Sequence, residues 1–110
     1  MKLPEEIKNQ IIEALKPLDP EKVILFGSYA YGEPTADSDI DLYIVTKDDF
    51  MPQSFKEKNI LYLRVSKCLR NLRKVIPIDL IVHSKKVYEL FSNSESSFYR
   101  NDINNGVVLI

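Results

Sequence analysis

Three aspartates and one Gly-Ser pair stand out in this chain as candidate functional residues because of their residue types and spacing. Asp39-Ile40-Asp41 follows Gly27-Ser28 after ten intervening residues, and Asp79 lies in an otherwise apolar run. Carboxylates are the oxygen ligands that Mg²⁺ prefers when substrate phosphates complete its coordination. A glycine directly after a strand lets the backbone approach a ligand, and free N–H groups at the next helix start bind anions. The pattern therefore predicts a metal-dependent site for the phosphates of a nucleotide.

The three carboxylates are predicted to share one site because of how strands present their side chains. Side chains alternate between the two faces of a strand, so Asp39 and Asp41 should point the same way, about 7 Å apart. Asp79 interrupts the apolar stretch Ile78-Asp79-Leu80-Ile81-Val82, where an unpaired charge would be costly. If the two strands are neighbours, two metal ions could hold the attacking and leaving oxygens of a phosphoryl transfer there.

Hydrophobic spacing and breaker residues predict the elements that position these side chains. The predicted helices span residues 4–16, 54–76, 84–91 and 98–104, and the predicted strands span residues 23–26, 39–45 and 78–82. Ser28 is predicted to cap a short helix, and Gly106 to take the left-handed conformation that closes the last one. Residues 107–110 would add an edge strand or contact a partner. This order indicates an α/β (α+β) fold, with a short mixed sheet and helices packed on it.

Length, composition and charge limit the possible classes of protein. The 110 residues have room for one domain, and 45% hydrophobic with 28% charged residues is typical of a globular chain. A net charge of −1 argues against a whole-protein affinity for nucleic acid or an anionic membrane. A membrane span needs about 18 apolar residues, and neither such a stretch nor a signal peptide is apparent, so a cytoplasmic location is expected. The single cysteine, Cys68, excludes an internal disulfide and a cysteine-rich metal site.

Residues 25–42, Leu-Phe-Gly-Ser-Tyr-Ala-Tyr-Gly-Glu-Pro-Thr-Ala-Asp-Ser-Asp-Ile-Asp-Leu, closely resemble the signature of the minimal nucleotidyltransferases. These enzymes, which include the MntA-like antitoxins, belong to the DNA polymerase β-like superfamily. The resemblance extends over nearly the whole chain and implies the nucleotidyltransferase fold. It also implies ATP as cosubstrate, Mg²⁺ as cofactor and transfer of AMP to a hydroxyl group. Gly27 and Ser28 would bind the nucleotide, while Asp39, Asp41 and Asp79 would be catalytic metal ligands.

The resemblance also implies a partner protein. Minimal members of this size are commonly encoded beside a HEPN-domain protein, so this chain would be the antitoxin that attaches AMP to a tyrosine of a HEPN ribonuclease. A chain of 110 residues has no room for an acceptor-binding domain, so another protein is expected to supply the acceptor site in a hetero-oligomer. Two alternatives stay open. One is a non-catalytic module that neutralises its HEPN partner by occlusion, and the other is a small-molecule nucleotidyltransferase that forms its acceptor pocket between subunits.

One position departs from the commonest family pattern. Where many relatives have Ala-Arg-Gly, this chain has Ala30-Tyr31-Gly32. A tyrosine offers a hydroxyl and a ring in place of the fixed positive charge of arginine. The departure leaves the rate and the acceptor open, and the predicted metal ligands are unaffected.

Two further features have alternative interpretations. Residues 54–76 carry seven lysines and arginines against one acidic residue, Glu57. They form either a solvated helix face or a basic surface for an acidic partner protein or the nucleotide. Contact with RNA is less favoured because aromatic residues are sparse there. His83, which ends the third predicted strand, is expected to have a structural or surface role.

Overall fold

The computed structural model describes residues 2–110, which contain four strands, five α-helices and two irregular turns. The strands are β1 (Lys22–Phe26), β2 (Ile40–Thr46), β3 (Ile78–Ser84) and β4 (Val107–Val108). The helices are α1 (Glu5–Leu15), α2 (Ser28–Tyr31), α3 (Phe55–Cys68), α4 (Arg70–Arg73) and α5 (Lys85–Ser92), with a 3₁₀ turn at Lys16–Leu18 and a π-helical turn at Tyr99–Ile103. The predicted fold class, a mixed sheet with helices packed on it, is confirmed.

The four strands form one sheet in the spatial order β3-β2-β1-β4. β1 pairs antiparallel with β2 and β4, whereas β2 and β3 are parallel. Helices α3 and α4 make the crossover between the two parallel strands. Parallel strands begin at the same end of a sheet, and the register places Asp41 directly opposite Asp79. The condition on which the sequence prediction depended, that these two strands are neighbours, is therefore met.

Both faces of the sheet are covered, because side chains along β2 alternate between two hydrophobic clusters. Ile40, Leu42 and Ile44 pack on the first face with buried residues of the helices; these are Ile11 and Leu15 of α1, Val65 of α3 and Leu69. Tyr43 and Val45 pack on the second face with Ile24 and Ile103. Alternation places Asp41 at the end of this second face. No helix among residues 2–110 is both long and apolar enough to cross a membrane.

The long helix predicted over residues 54–76 is wrong in its extent. Leu69 has φ −99° and ψ 6°, so the helix breaks there into α3 and α4. Leu69 is fully buried, whereas Val75, near the end of the predicted helix, is 79% exposed. Pro77 disfavours a helical conformation at the residue before it, which limits how far α4 can extend. The apolar spacing of the sequence does not reveal the break, because Leu72, beyond it, still packs against the core.

The prediction that Gly106 closes a helix in the left-handed conformation is also wrong, since its φ is not positive. The chain needs glycine there for a different reason. A Cβ at Gly106 would lie 2.6 Å from both Ile24 Cγ2 and the Leu25 carbonyl oxygen. Its absence lets the chain end approach β1, where the Leu109 N–H donates to the Val23 carbonyl oxygen at 2.7 Å. The predicted edge strand is confirmed over Val107–Val108.

Replacing Gly106 by alanine should therefore destabilise the fold. The new methyl group has to displace β1 backbone or the Ile24 side chain, and overpacking of this kind costs about 1–3 kcal/mol of unfolding free energy. Urea denaturation followed by circular dichroism measures the loss. Asn104→Ala, at an exposed neighbouring position, is the control and should change the unfolding free energy by less than about 0.5 kcal/mol. Equal stabilities for the two variants would contradict the packing argument.

Candidate functional site

The turn between β1 and α2 brings the backbone against a carboxylate. Gly27, which follows β1, has φ 79° and ψ −160°, a conformation that is essentially restricted to glycine. A Cβ at this position would overlap Asp41 Oδ2 and lie 3.1 Å from Asp41 Cγ. Any other residue would therefore be strained in its backbone and would push the carboxyl group of Asp41 aside. Gly27 and Asp41, 14 positions apart in the sequence, form one contact in the fold.

Ser28 lies beside this contact, but its predicted role as helix cap is wrong. Gly27 is the N-cap of α2, Ser28 is the first helical residue, and no side chain caps the helix. The Gly27 carbonyl oxygen accepts hydrogen bonds from the N–H groups of Ala30 at 3.0 Å and Tyr31 at 3.2 Å. The first N–H groups of a helix have no partner within it. α2 thus begins at Ser28, directly after the glycine that contacts Asp41.

The three predicted carboxylates lie at the same end of β2 and β3. Asp39 is exposed and precedes β2 by one residue, so the strand begins one residue later than predicted. Asp41 is half-buried in β2, and Asp79 stands opposite it in β3. Asp79 is exposed, so the desolvation cost that the sequence suggested for this position does not apply. β3 is an edge strand, and its outer side is open to solvent at this point.

The pKa shifts of two of these groups show that the carboxylates act on one another. Asp79 raises the pKa of Asp39 through a hydrogen bond to the protonated form, and its negative charge adds to the effect. Burial raises the pKa of Asp41, and the charges of Asp79 and Asp39 raise it further. Like charges at short range favour binding of a proton or a cation. The three side chains are therefore one electrostatic unit.

The side chains alone do not enclose a cation. Within residues 2–110, no group of three acidic, histidine or cysteine side chains is arranged so that it could hold a metal ion by itself. A cation at the three aspartates would need further oxygens from another molecule, which is the coordination that Mg²⁺ adopts with phosphate substrates.

Sequence reasoning missed Asp102, which the fold brings to the loop of the site. The Tyr31 hydroxyl donates a hydrogen bond to Asp102 Oδ1 at 2.9 Å, and the ring is 49% exposed. Burial raises the pKa of Tyr31, and the charges of Asp102 and Asp41 raise it further. Tyr31, which replaces the familiar arginine, thus ties α2 to the π-helical turn. No local signal predicts this contact, since 71 residues separate its two partners.

His83 lies away from the carboxylates and has the structural role expected of it. Its Nδ1 is 2.7 Å from the Tyr43 hydroxyl, and its ring packs edge-on against Tyr43 and Phe91. Burial lowers the pKa of His83, and the nearby charge of Lys58 lowers it further. The neutral ring shares this hydrogen bond with the Tyr43 hydroxyl and packs against aromatic residues of the second sheet face.

Comparison with known proteins decides the family. Residues 8–108 match the family described as "Nucleotidyltransferase domain". The chain belongs to this family. A relative from Methanocaldococcus jannaschii, named "Putative protein adenylyltransferase", is 38% identical over 90 residues, which covers 81% of this chain and 77% of the relative. The resemblance found in residues 25–42 is confirmed, and with it the class of enzyme: this nucleotidyltransferase is a transferase.

The contact between Tyr31 and Asp102 should contribute measurably to stability. Tyr31→Phe removes the donor, and we expect the unfolding free energy to fall by about 0.5–1 kcal/mol, as for a partly exposed hydrogen bond. A double-mutant cycle with Asp102→Asn, measured by urea denaturation, isolates the coupling between the two side chains. Tyr29→Phe, two positions away, is the matched control. Strictly additive effects of the two substitutions would show that the contact is not made.

His83 should make stability depend on pH in the weakly acidic range. In the folded chain the pKa of His83 is below its ordinary value of 6.5. The unfolded chain therefore binds a proton at His83 more readily than the folded chain does. The unfolding free energy should therefore fall as the pH decreases from 6.5 toward the pKa of His83 in the folded state. Well above pH 6.5 the pH should have no effect through His83. His83 is the sole histidine, so His83→Gln should flatten the curve between about pH 7.5 and about pH 5.5 in urea denaturation. A variant with the same slope as the native chain would refute the assignment.

Proposed function

We propose that this nucleotidyltransferase transfers AMP from ATP to a tyrosine hydroxyl of a partner protein, as the antitoxin of a HEPN toxin–antitoxin pair. The observation that supports this most is the set of Asp39, Asp41 and Asp79 at one end of two parallel strands, beside the Gly27 turn. The name of the relative from Methanocaldococcus jannaschii, a protein adenylyltransferase, agrees with a protein as acceptor. The neighbourhood with a HEPN-domain protein rests on the resemblance of residues 25–42.

The donor set of the site suits Mg²⁺. It consists of carboxylates, and the raised pKa values of Asp39 and Asp41 show that negative charge is in excess there. Hard oxygen ligands with excess negative charge are the environment that Mg²⁺ binds, with nucleotide phosphates completing its shell. We propose Asp39, Asp41 and Asp79 as ligands of a two-metal site. When bound, Mg²⁺ would supply positive charge that offsets the negative charge of the phosphates during transfer.

The residues of the chain divide the remaining tasks. We propose that the Gly27 backbone and the Ser28 hydroxyl hold the terminal phosphates, since Gly27 contacts Asp41 and Ser28 begins α2. Asp79 is exposed on the edge strand, where a hydroxyl from another molecule can reach it. In the transfer, the acceptor oxygen forms a bond to the α-phosphorus of ATP, and the bond from that phosphorus to pyrophosphate breaks. Asp79 takes the proton that the acceptor hydroxyl loses.

The shape of the described surface favours a protein as the acceptor. Four of its grooves are lined by α3 and α4, by the outer side of α1, by the junction of β3 with α5, and by β1 and β4 with α5 and the π-helical turn. The three aspartates lie outside these grooves, on the open end of the sheet. A small acceptor molecule is ordinarily held in a concave site, so an exposed catalytic edge suits an acceptor that is anchored elsewhere. We place this reaction in the cytoplasm, where ATP and a HEPN ribonuclease would both be found.

Intact mass measurement tests the proposal. The chain is mixed with ATP, Mg²⁺ and the HEPN-domain protein encoded beside it, and the mass of that protein is followed. We expect AMP additions whose rate falls by at least about 100-fold in Asp39→Ala and Asp41→Ala, because losing a metal ligand removes stabilisation of the transferred phosphoryl group. Asp37→Ala is the matched control, since it removes an exposed carboxylate from the same loop and should leave the rate within about twofold.

The outcomes separate the alternatives. A partner of unchanged mass whose ribonuclease is still inhibited, also by Asp39→Ala, would overturn the enzymatic proposal in favour of a non-catalytic binding module. AMP found on a small molecule while the partner stays unmodified would favour an oligomeric enzyme with a small acceptor. Localisation of the added AMP to a residue other than tyrosine would correct the acceptor but leave the reaction standing.

A further inference from the structure

The segment that contains α3 and α4 carries nearly half of the lysines and arginines of the chain. Residues 54–76 contain seven lysines and arginines and one acidic residue, whereas the chain as a whole has a net charge of −1. The remainder of the chain is therefore distinctly acidic, and its acidic residues include the three aspartates of the site. We call the outward surface of α3 and α4 around Leu63, Lys67, Arg70 and Lys74 the basic face. Positive charge is therefore concentrated in one segment of the chain.

The cations of the basic face are not neutralised within the described chain. Arg64 is paired with Asp48 at 2.7 Å, and the Arg73 guanidinium donates to Ser66 Oγ at 2.9 Å. Lys67, Arg70 and Lys74 are exposed, and none of them is in an ion pair within residues 2–110. An open groove of about 550 Å³ runs along this face, lined by Leu63, Ser66, Lys67, Arg70, Arg73 and Lys74. Several like charges around one groove repel one another and attract an anionic ligand.

Apolar side chains within the basic face indicate what kind of anion fits. Leu63 is 54% exposed and Ile60 is 52% exposed on the outward side of α3, and Val75 follows α4 at 79% exposure. A surface that alternates apolar and cationic side chains suits an amphipathic helix with an apolar ridge and acidic flanks. Single-stranded nucleic acid binds instead through aromatic side chains on which its bases stack. The groove is lined by none among the described residues.

A short stretch of chain joins the basic face to β3, the strand that carries Asp79. α3 packs on the first face of the sheet through Val65, whereas Asp41 points to the second face. Lys74, at the end of α4, precedes Asp79 by five residues. A partner held on the basic face would therefore be located beside the end of β3 at which Asp79 is exposed. The acidic edge would repel the acidic flanks of that partner, so the two charged regions together orient it.

We propose that the basic face is a docking surface for an acidic amphipathic helix of the partner protein, separate from the site of transfer. Leu63 and Ile60 contact the apolar ridge of that helix, and Lys67, Arg70 and Lys74 pair with its acidic side chains. The proposal rests on the proposed function only in assigning this helix to the acceptor protein. Binding itself requires neither ATP nor Mg²⁺.

Fluorescence anisotropy tests the docking surface directly. The probe is a fluorescein-labelled synthetic helix that has leucines at helical spacing and glutamates on its flanks, titrated with the full chain without nucleotide. We expect the triple variant Lys67→Glu, Arg70→Glu, Lys74→Glu to bind the probe at least about tenfold more weakly than the native chain. The control variant Lys16→Glu, Lys47→Glu, Lys86→Glu changes the net charge equally at exposed or partly exposed sites elsewhere and should bind within about twofold. Circular dichroism establishes that both variants are folded.

Two further probes decide between the possible ligands. A scrambled peptide of the same composition should bind at least about tenfold more weakly, because it lacks the apolar ridge. Equal binding of the scrambled peptide, equal binding by the two triple variants, or no binding to the native chain would each overturn the proposal. So would a labelled oligouridylate that binds the basic face more tightly than the helix does. Because these assays contain no ATP, the docking surface and AMP transfer fail or succeed independently.

Discussion

Three carboxylates repel one another at the end of a parallel strand pair, and the packing of the strands that carry them must offset this repulsion. Asp41 and Asp79 are directly opposite one another, and Asp39 adds a third negative charge. Such a cluster opposes folding when it lacks a counter-charge, so the strands that carry it need strong support elsewhere. That support comes from β2, whose side chains from Leu42 to Val45 are fully buried between two hydrophobic clusters. A slip of one residue would exchange the two faces, so burial locks the register.

The loop before β2 makes the charged end accessible to a ligand. Gly27 has a conformation that other residues avoid, and it has no side chain to displace the Asp41 carboxyl group. The backbone therefore turns directly beside the carboxylates, and α2 starts at the same place. Tyr31 then connects this loop to the C-terminal turn through Asp102. Two segments that are distant in the sequence are thus in contact beside the site.

The aspartates of the site and the basic face lie on different sides of the sheet. The aspartates lie at the end of β2 and β3 and are directed away from α3, whereas the basic face lies on the outer side of α3 and α4. A ligand therefore meets an acidic edge and a basic helical surface on different sides of the same strand pair. Fields of opposite sign at separate places orient a charged partner before contact. For a nucleotidyltransferase whose acidic edge is exposed, this separation would give a partner two distinct regions to recognise.

Local spacing in the sequence was enough to predict the three strands, most helices and the family signature in residues 25–42, which contains Gly27, Asp39 and Asp41. These features depend on spacing within a short segment, which the sequence displays directly. The sequence also identified Asp79 as an unusual charge. The position of Asp79 opposite Asp41, however, depends on the parallel pairing of β2 and β3, which residues 47–77 separate in the sequence. The break at Leu69, the close approach that requires Gly106 and the hydrogen bond from Tyr31 to Asp102 were decided only by the tertiary structure. Each depends on a contact between distant segments, and such a contact leaves no periodic or compositional trace in the sequence.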